Sequence, residues 1–160
     1  MTDIFKRLVF APRGSTAEIE GGTCLTPKFD DGGVLAAVAT DAETGEVLML
    51  AWMDAEALAL TIATGEAHFY SRSRKRIWKK GEESGNVLDV VEMRTDCDQD
   101  AIWMRVRMRG QKAACHTGRR TCFYRRIPLG QGTGGHGVTA SLQPPDVPRL
   151  FDPADVYKPS

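Results

Sequence analysis

The sequence predicts a mainly β domain of the α+β class, in which a mixed sheet curls on itself and carries one or two short helices. Three observations support this prediction: about six short segments have strand-like patterns, one segment has helical spacing, and 160 residues suffice for one core. The patterned core covers residues 33–127. An irregular lead-in punctuated by proline and glycine precedes it at residues 1–32, and a Gly/Pro-rich tail follows at residues 128–160.

The core begins with a predicted β-hairpin. Residues 34–39 (VLAAVA) and 47–52 (VLMLAW) are apolar runs of strand length. The turn-forming sequence DAETG separates them at residues 41–45. We therefore expect two neighbouring antiparallel strands.

One helix and four further strands are predicted after the hairpin. The helix covers residues 54–64, because Asp54 suits its N-cap and Gly65 suits its C-terminal stop. The segment AIWMRVRMR at residues 101–109 alternates between apolar side chains and a face of tryptophan and arginines, which is typical of a half-buried strand. The other strands are predicted over residues 67–72, over residues 87–94 and, as a final short strand, over residues 122–127.

The balance of charge gives no sign of a nucleic-acid or membrane partner. Lys and Arg number 21, as do Asp and Glu, and no apolar stretch has the length of a membrane span or of a secretory signal. The sequence therefore predicts a cytoplasmic protein. In that reducing compartment, the four cysteines are expected to be thiols or metal ligands rather than disulfides.

The densest chemical signal is the segment DCDQD. Its carboxylates, Asp96, Asp98 and Asp100, share one face of an extended chain, where their mutual repulsion favours a bound divalent cation. A calcium-binding EF-hand also begins D-x-D-x-D, but it requires glycine at its sixth position and a carboxylate at its twelfth, which here are Ala101 and Arg107. A solvated acidic turn remains the alternative.

Three cysteines form a second candidate site. Cys97, Cys115 and Cys122 are separated by 18 and then 7 positions, so they form no CxxC pair of the kind found in zinc ribbons and fingers. Three thiolates suit a catalytic zinc site, which keeps one coordination position for water, whereas buried thiols without a metal are the alternative. Cys24 is expected to be a spare thiol.

A three-thiolate zinc site would need an auxiliary base, because the thiolates outweigh the charge of the ion and limit how strongly it acidifies water. His116, the neighbour of Cys115, is the candidate catalytic base, and a surface histidine is the alternative. His68 lies on a predicted strand and His136 lies in the glycine-rich tail, so both are expected to be incidental.

Two basic segments are candidate phosphate sites. In the first, cations alternate with hydroxyls and a polar, glycine-containing loop follows, a combination that suits phosphate oxygens. The second consists of Arg119, Arg120, Arg125 and Arg126. The candidate substrate-binding residues are Arg72, Ser73, Arg74, Lys80, Ser84, Arg119 and Arg120. A solvated basic surface is the alternative.

Four segments, in this order, closely resemble the phosphoribosyl-AMP cyclohydrolase family. They are LMLAWMDAEAL (48–58), TGEAHFYSRSRKRIWKKGEESGN (64–86), DCDQD (96–100) and ACHTGRRTCFYR (114–125). The resemblance implies an enzyme that hydrolyses the N1–C6 bond of N1-(5-phosphoribosyl)-AMP with zinc-activated water. This reaction opens the adenine ring and gives the formimino carboxamide ribonucleotide, in the third step of histidine biosynthesis.

The resemblance also implies which residues bind metal. By their positions in the matching segments, the zinc ligands are Cys97, Cys115 and Cys122, and the magnesium ligands are Asp96, Asp98 and Asp100. It implies a homodimer with the metal sites at its interface and one zinc ion per subunit, shared across the dimer. An extended DCDQD segment would point its cysteine away from its aspartates, so a partner subunit could complete the zinc site, or a bulge could do so within one chain.

The expected activity is the cyclohydrolase reaction alone. Only about 33 residues follow Ile127, too few for the helical pyrophosphohydrolase domain that is fused to some members of the family. Two other functions fit the same residues. One is a non-catalytic zinc module that binds RNA through the basic segments, and the other is a zinc hydrolase of a different nucleotide.

Overall fold

The computed structural model describes residues 7–157, so the first six residues of the lead-in and the last three of the tail lie outside it. Its helices and strands follow one another in a mainly β order. They are α1 (Thr16–Gly21), β1 (Val34–Asp41), β2 (Val47–Asp54), α2 (Ala55–Thr64), β3 (His68–Ser71), β4 (Arg76–Lys79), β5 (Leu88–Thr95), β6 (Ala101–Met108) and α3 (Pro153–Val156). The predicted α+β class is confirmed.

The main sheet has four strands in the order β2-β1-β6-β5, and it is mixed as predicted. Strand β1 pairs antiparallel with β2 and parallel with β6, while β5 and β6 form an antiparallel pair. The sheet is open rather than closed into a barrel. Strands β3 and β4 form a separate antiparallel hairpin.

The core lies on one face of the main sheet. The predicted alternation in β6 is confirmed, because Ile102, Met104 and Val106 are buried while Trp103 and Arg105 between them are not. Helix α2 adds Leu58 to the same cluster, and the small hairpin adds Phe69. Burial of these side chains is the main source of the fold's stability.

Helix α2 begins and ends at the predicted residues. The Asp54 side chain accepts a hydrogen bond from the amide of Ala57 (2.8 Å), and Gly65 takes the left-handed conformation, with φ of 70°, that ends the helix. Neither α2 nor any other helix within residues 7–157 is long and apolar enough to cross a membrane.

Three elements were not predicted. Helix α1 begins with a capping box between Ser15 and Glu18, inside the segment that was expected to be irregular. Strand β4 has no clear strand pattern in the sequence, because its two apolar residues, Ile77 and Trp78, lie among cations. The third is the one-turn helix α3, and it brings the helices in the described part of the chain to three.

The final strand predicted over residues 122–127 is wrong. The amide of Cys122 donates to the carbonyl of Leu48 (2.8 Å), but no ladder continues from this bond. The segment instead makes isolated hydrogen bonds to the tail, from Gln143 to Arg126 (2.9 Å) and from Asp146 to Tyr124 (3.2 Å). The tail therefore lies against the cysteine-containing segment.

Candidate metal sites

The first candidate site is the turn between β5 and β6, which carries the three aspartates. Their carboxylate oxygens lie within 4.8 Å of one another. The sequence suggested an extended segment, but the structure shows a turn. Gln99 has a φ of 60°, and Asp96 accepts hydrogen bonds from the amides of Asp100 (3.0 Å) and Ala101 (3.1 Å). A tight turn, not strand alternation, brings the carboxylates together.

The electrostatics of the aspartate turn favour a bound cation. Partial burial works to raise the pKa of Asp96, but hydrogen bonds led by the Ala101 amide outweigh it, so the pKa is lowered. The pKa of Asp100 is raised, because it shares a hydrogen bond with Asp96 and is repelled by the nearby carboxylates. A divalent cation would relieve this repulsion, and three carboxylates match the oxygen donors that magnesium prefers.

The N-terminal lead-in fixes the aspartate turn. The buried side chain of Gln99 accepts a hydrogen bond from the amide of Thr26 (2.7 Å) and donates one to the carbonyl of Ile19 (3.0 Å). Arg13 donates to the carbonyls of Thr26 (2.7 Å) and Asp98 (2.9 Å). The sequence did not single out these anchors, because their partners lie far away in the chain.

The second candidate site is the loop at residues 114–122, called here the cysteine loop. The amide of Cys115 donates to the carbonyl of Arg119 (3.0 Å), and the amide of Gly118 donates back to Cys115 (3.1 Å). The Thr117 hydroxyl lies 3.0 Å from the Cys115 Sγ, to which it donates. Cys115 is buried and Cys122 is exposed, yet their thiols share a hydrogen bond.

This pair is set up to carry negative charge. The hydrogen bond from Cys122, helped by Thr117, lowers the pKa of Cys115 to about 5. The same hydrogen bond, together with repulsion from the Cys115 thiolate, raises the pKa of Cys122. Thiolate is the form of cysteine that binds zinc. The donor chemistry of the two sulfurs therefore fits zinc.

Lys80 is a buried positive charge that interacts with the two cysteines of this site. Its side chain is only 5% exposed, and in the part of the chain that the structure describes no carboxylate lies within ion-pairing distance of it. Burial lowers the pKa of Lys80, while attraction to Cys122 and Cys115 opposes that change. The lysine predicted to bind phosphate is thus buried next to sulfur rather than displayed on the surface.

Cys97 is separate from the other two cysteines within one chain. Across residues 7–157, the only group of three or more ligand-type side chains with atoms within 4.8 Å is the aspartate trio. Cys97 is exposed and lines a shallow cleft together with Cys24, Glu20 and Asp96. The single chain therefore presents two sulfur donors in one place and the third in another.

Five other predicted site residues are exposed or half-buried: four lie in or after the small hairpin, and His116 lies in the cysteine loop. The guanidinium of Arg72 lies 4.4 Å from the ring centre of Trp52, and Ser73 and Arg74 occupy the exposed β3–β4 turn. Ser84 accepts a hydrogen bond from the amide of Asn86 (3.2 Å). His116 is exposed beside the buried Cys115.

The two arginines of the cysteine loop already have protein partners. Arg119 donates to the carbonyl of Val147 (3.0 Å), and its guanidinium lies 4.3 Å from the ring centre of Tyr124. Arg120 forms ion pairs with Asp41 and Glu46 at the β1–β2 turn. Both contacts tie the cysteine loop to other parts of the chain.

Gly118 is in direct contact with the tail. Its carbonyl accepts a hydrogen bond from the amide of Leu150 (2.6 Å), and its φ is 85°. A Cβ added at this position would overlap the backbone carbonyl of Phe151. Only glycine fits both requirements.

Replacing Gly118 with alanine should destabilise the protein by about 2 to 3 kcal/mol, because a strained backbone and a steric clash act together. Thermal unfolding should show a fall in melting temperature of about 4–10 °C. Gly134→Ala is the matched control, since Gly134 has no atom within 4 Å of the added Cβ. Equal melting temperatures for the two variants would contradict the prediction.

Comparison with known proteins finds one family whose sequences are similar to this chain. A family model described as phosphoribosyl-AMP cyclohydrolase matches residues 49–124. The phosphoribosyl-AMP cyclohydrolase of Sinorhizobium fredii is 55% identical over 147 residues, covering 92% of this chain and 93% of that protein. The protein of the same name from Nitrobacter hamburgensis is 57% identical over 143 residues, covering 89% and 92%. The similarity to these relatives thus extends beyond the segment that the family model matches.

Proposed function

The chain belongs to the phosphoribosyl-AMP cyclohydrolase family, and on this basis we propose that it opens the adenine ring of N1-(5-phosphoribosyl)-AMP by hydrolysis of the N1–C6 bond. It is a hydrolase of cyclic amidines in histidine biosynthesis, and its substrate is a small nucleotide. The structural observation that supports the proposal is the cysteine loop, where the thiols of Cys115 and Cys122 are hydrogen-bonded to each other and Lys80 is buried beside them.

The proposed zinc ligands are Cys115 and Cys122 of one subunit and Cys97 of the other. A zinc ion bound there would supply an activated water for attack on C6. In support, the first two thiols lie together, whereas Cys97 is exposed elsewhere on the chain. Lys80 would offset the excess negative charge of three thiolates around a divalent ion.

The remaining chemistry falls to residues that the sequence singled out. His116, exposed beside Cys115, would accept the proton released by the attacking water. Because N1 of this substrate is alkylated, its ring is cationic and C6 is electrophilic. The exposed Arg72, Ser73 and Arg74 would contact a phosphate through charge-assisted hydrogen bonds, with Ser84 nearby in sequence.

The aspartate turn is the proposed magnesium site, with Asp96, Asp98 and Asp100 as ligands. Magnesium bound there would help to hold the phosphorylated substrate. The grouping of three carboxylates within 4.8 Å and the raised pKa of Asp100 support this assignment.

A cytoplasmic location, as expected for a biosynthetic enzyme, remains a prediction.

A purified-enzyme assay with metal analysis tests the proposed function. Ring opening should be followed by ultraviolet absorbance with the phosphoribosylated substrate, with AMP and with adenosine, while elemental analysis counts zinc. We expect turnover of the first substrate only and about one zinc per chain. Turnover of AMP instead would favour a different nucleotide hydrolase. Salt-sensitive RNA binding without hydrolysis would favour a zinc-containing RNA-binding module.

Replacing Asp98 with asparagine should weaken magnesium binding and leave zinc in place, because the substitution removes one charged oxygen donor. The magnesium concentration for half-maximal activity should rise by about tenfold, equivalent to about 1.4 kcal/mol of binding. Asp31→Asn, at an exposed turn before β1, is the matched control. A magnesium titration of Asp98→Asn that overlays that of Asp31→Asn would argue against the assignment.

A further inference from the structure

Arg120 forms a bridge between the cysteine loop and the β1–β2 turn. Its Nε lies 2.7 Å from an oxygen of Glu46, and its Nη2 lies 2.9 Å from an oxygen of Asp41. The Arg120 and Asp41 side chains are 31% and 12% exposed, so this pair is shielded from water more than an ordinary surface pair, whereas Glu46 is 38% exposed. A guanidinium held by two carboxylates is a rigid connection.

The β1–β2 turn is itself arranged to receive this arginine. Asp41 accepts hydrogen bonds from the amides of Glu43 and Thr44, both at 2.9 Å, which fix the orientation of its carboxylate. Burial works to raise the pKa of Asp41, but these amides and Arg120 outweigh it, so the pKa is lowered. The acceptor is therefore charged and oriented through local contacts of its own turn.

The backbone around Arg120 joins the two cysteines to the sheet. Its carbonyl accepts a hydrogen bond from Ala114, the residue before Cys115, at 3.1 Å. The next residue, Thr121, donates its hydroxyl to the carbonyl of Val47 (2.8 Å), and Cys122 follows directly. A shift of Arg120 would therefore move both sulfurs.

We propose that Arg120 is a positioning residue, which holds Cys115 and Cys122 in register through Asp41 and Glu46, and not a phosphate contact. The inference rests on the proposed zinc-dependent function of the cysteine loop. It also separates Arg120 from Arg72 and Arg74, whose side chains are exposed and form no ion pair within residues 7–157. Removing the two carboxylates should then reproduce the effect of removing the arginine.

The test compares Arg120→Met with the double variant Asp41→Asn/Glu46→Gln, which keeps the arginine and leaves it without charged partners. In both proteins the zinc dissociation constant, measured by competition with a chelator, should rise by about tenfold or more, as is typical when a residue supporting a metal ligand is lost. The kcat should fall while KM for the nucleotide changes little. Arg107→Met, at an exposed position of β6, is the matched control and should behave as wild type.

A phosphate contact predicts a different result. Arg120→Met would then raise KM, and the double variant would leave zinc affinity and kcat unchanged. That result would overturn the inference. So would a lower unfolding temperature in both variants together with normal zinc affinity at temperatures where they remain folded. The double variant alone decides the matter if Arg120→Met does not fold. Absence of zinc and activity in the wild type would instead refute the proposed function.

Discussion

Replacing Cys115 with serine should abolish ring opening and remove zinc from the protein. Cys115 is the buried member of the sulfur pair, and its pKa of about 5 makes it the thiolate of the two near neutral pH. Serine keeps the size of the side chain but not the affinity of a thiolate for zinc. Since a catalytic zinc contributes several kcal/mol to transition-state stabilisation, kcat/KM should fall by at least about 10³-fold.

The measurement is a hydrolysis assay on protein whose zinc content has been determined. Cys24→Ser is the matched control, because Cys24 is an exposed cysteine outside the proposed ligand set. It should keep full activity and full zinc content. A Cys115→Ser protein that remains folded, lacks zinc and still turns over substrate would exclude the zinc assignment.

The elements predicted from sequence are those whose signal is local. The β1–β2 hairpin, helix α2 and strand β6 carry their own apolar period, turn residues or caps within about ten positions. The strand predicted over residues 122–127 failed because it is held by single hydrogen bonds to the Leu48 carbonyl and to the tail, not by a ladder. Strand β4 was missed because two apolar residues among cations carry too little pattern.

The site shows the same division between local and distant information. The aspartate spacing correctly grouped three carboxylates, although a turn rather than an extended strand unites them. The partners of Lys80 and Arg120 could not be predicted from the sequence, because they are distant in the chain: Asp41 lies 79 positions from Arg120, with which it pairs. A lysine or arginine in a basic segment of the sequence can thus be either an exposed side chain available to a phosphate or a side chain held by protein groups, and only tertiary structure distinguishes the two.

The separation of Cys97 from the other two cysteines gives the sharpest test of the quaternary structure. In the proposed homodimer, neither the Cys97→Ser nor the Cys122→Ser variant should be active, since each loses one proposed ligand at every site. In a mixed dimer, one site would carry both defects and the other would carry neither. With random exchange about half of the dimers are mixed, so activity should recover from near zero to about one quarter of the wild-type value.

A second mixture makes this result specific to a site shared between subunits. Cys115 and Cys122 belong to the same loop of the same chain, so a Cys115→Ser and Cys122→Ser mixture leaves every site with one defect and should recover no activity. Native mass spectrometry of tagged subunits would verify that exchange has occurred in both mixtures. If each zinc site were built within one chain, neither mixture would recover activity. Recovery in the first mixture alone therefore requires that Cys97 act in its partner's site, because no arrangement within single chains contains an undamaged ligand set.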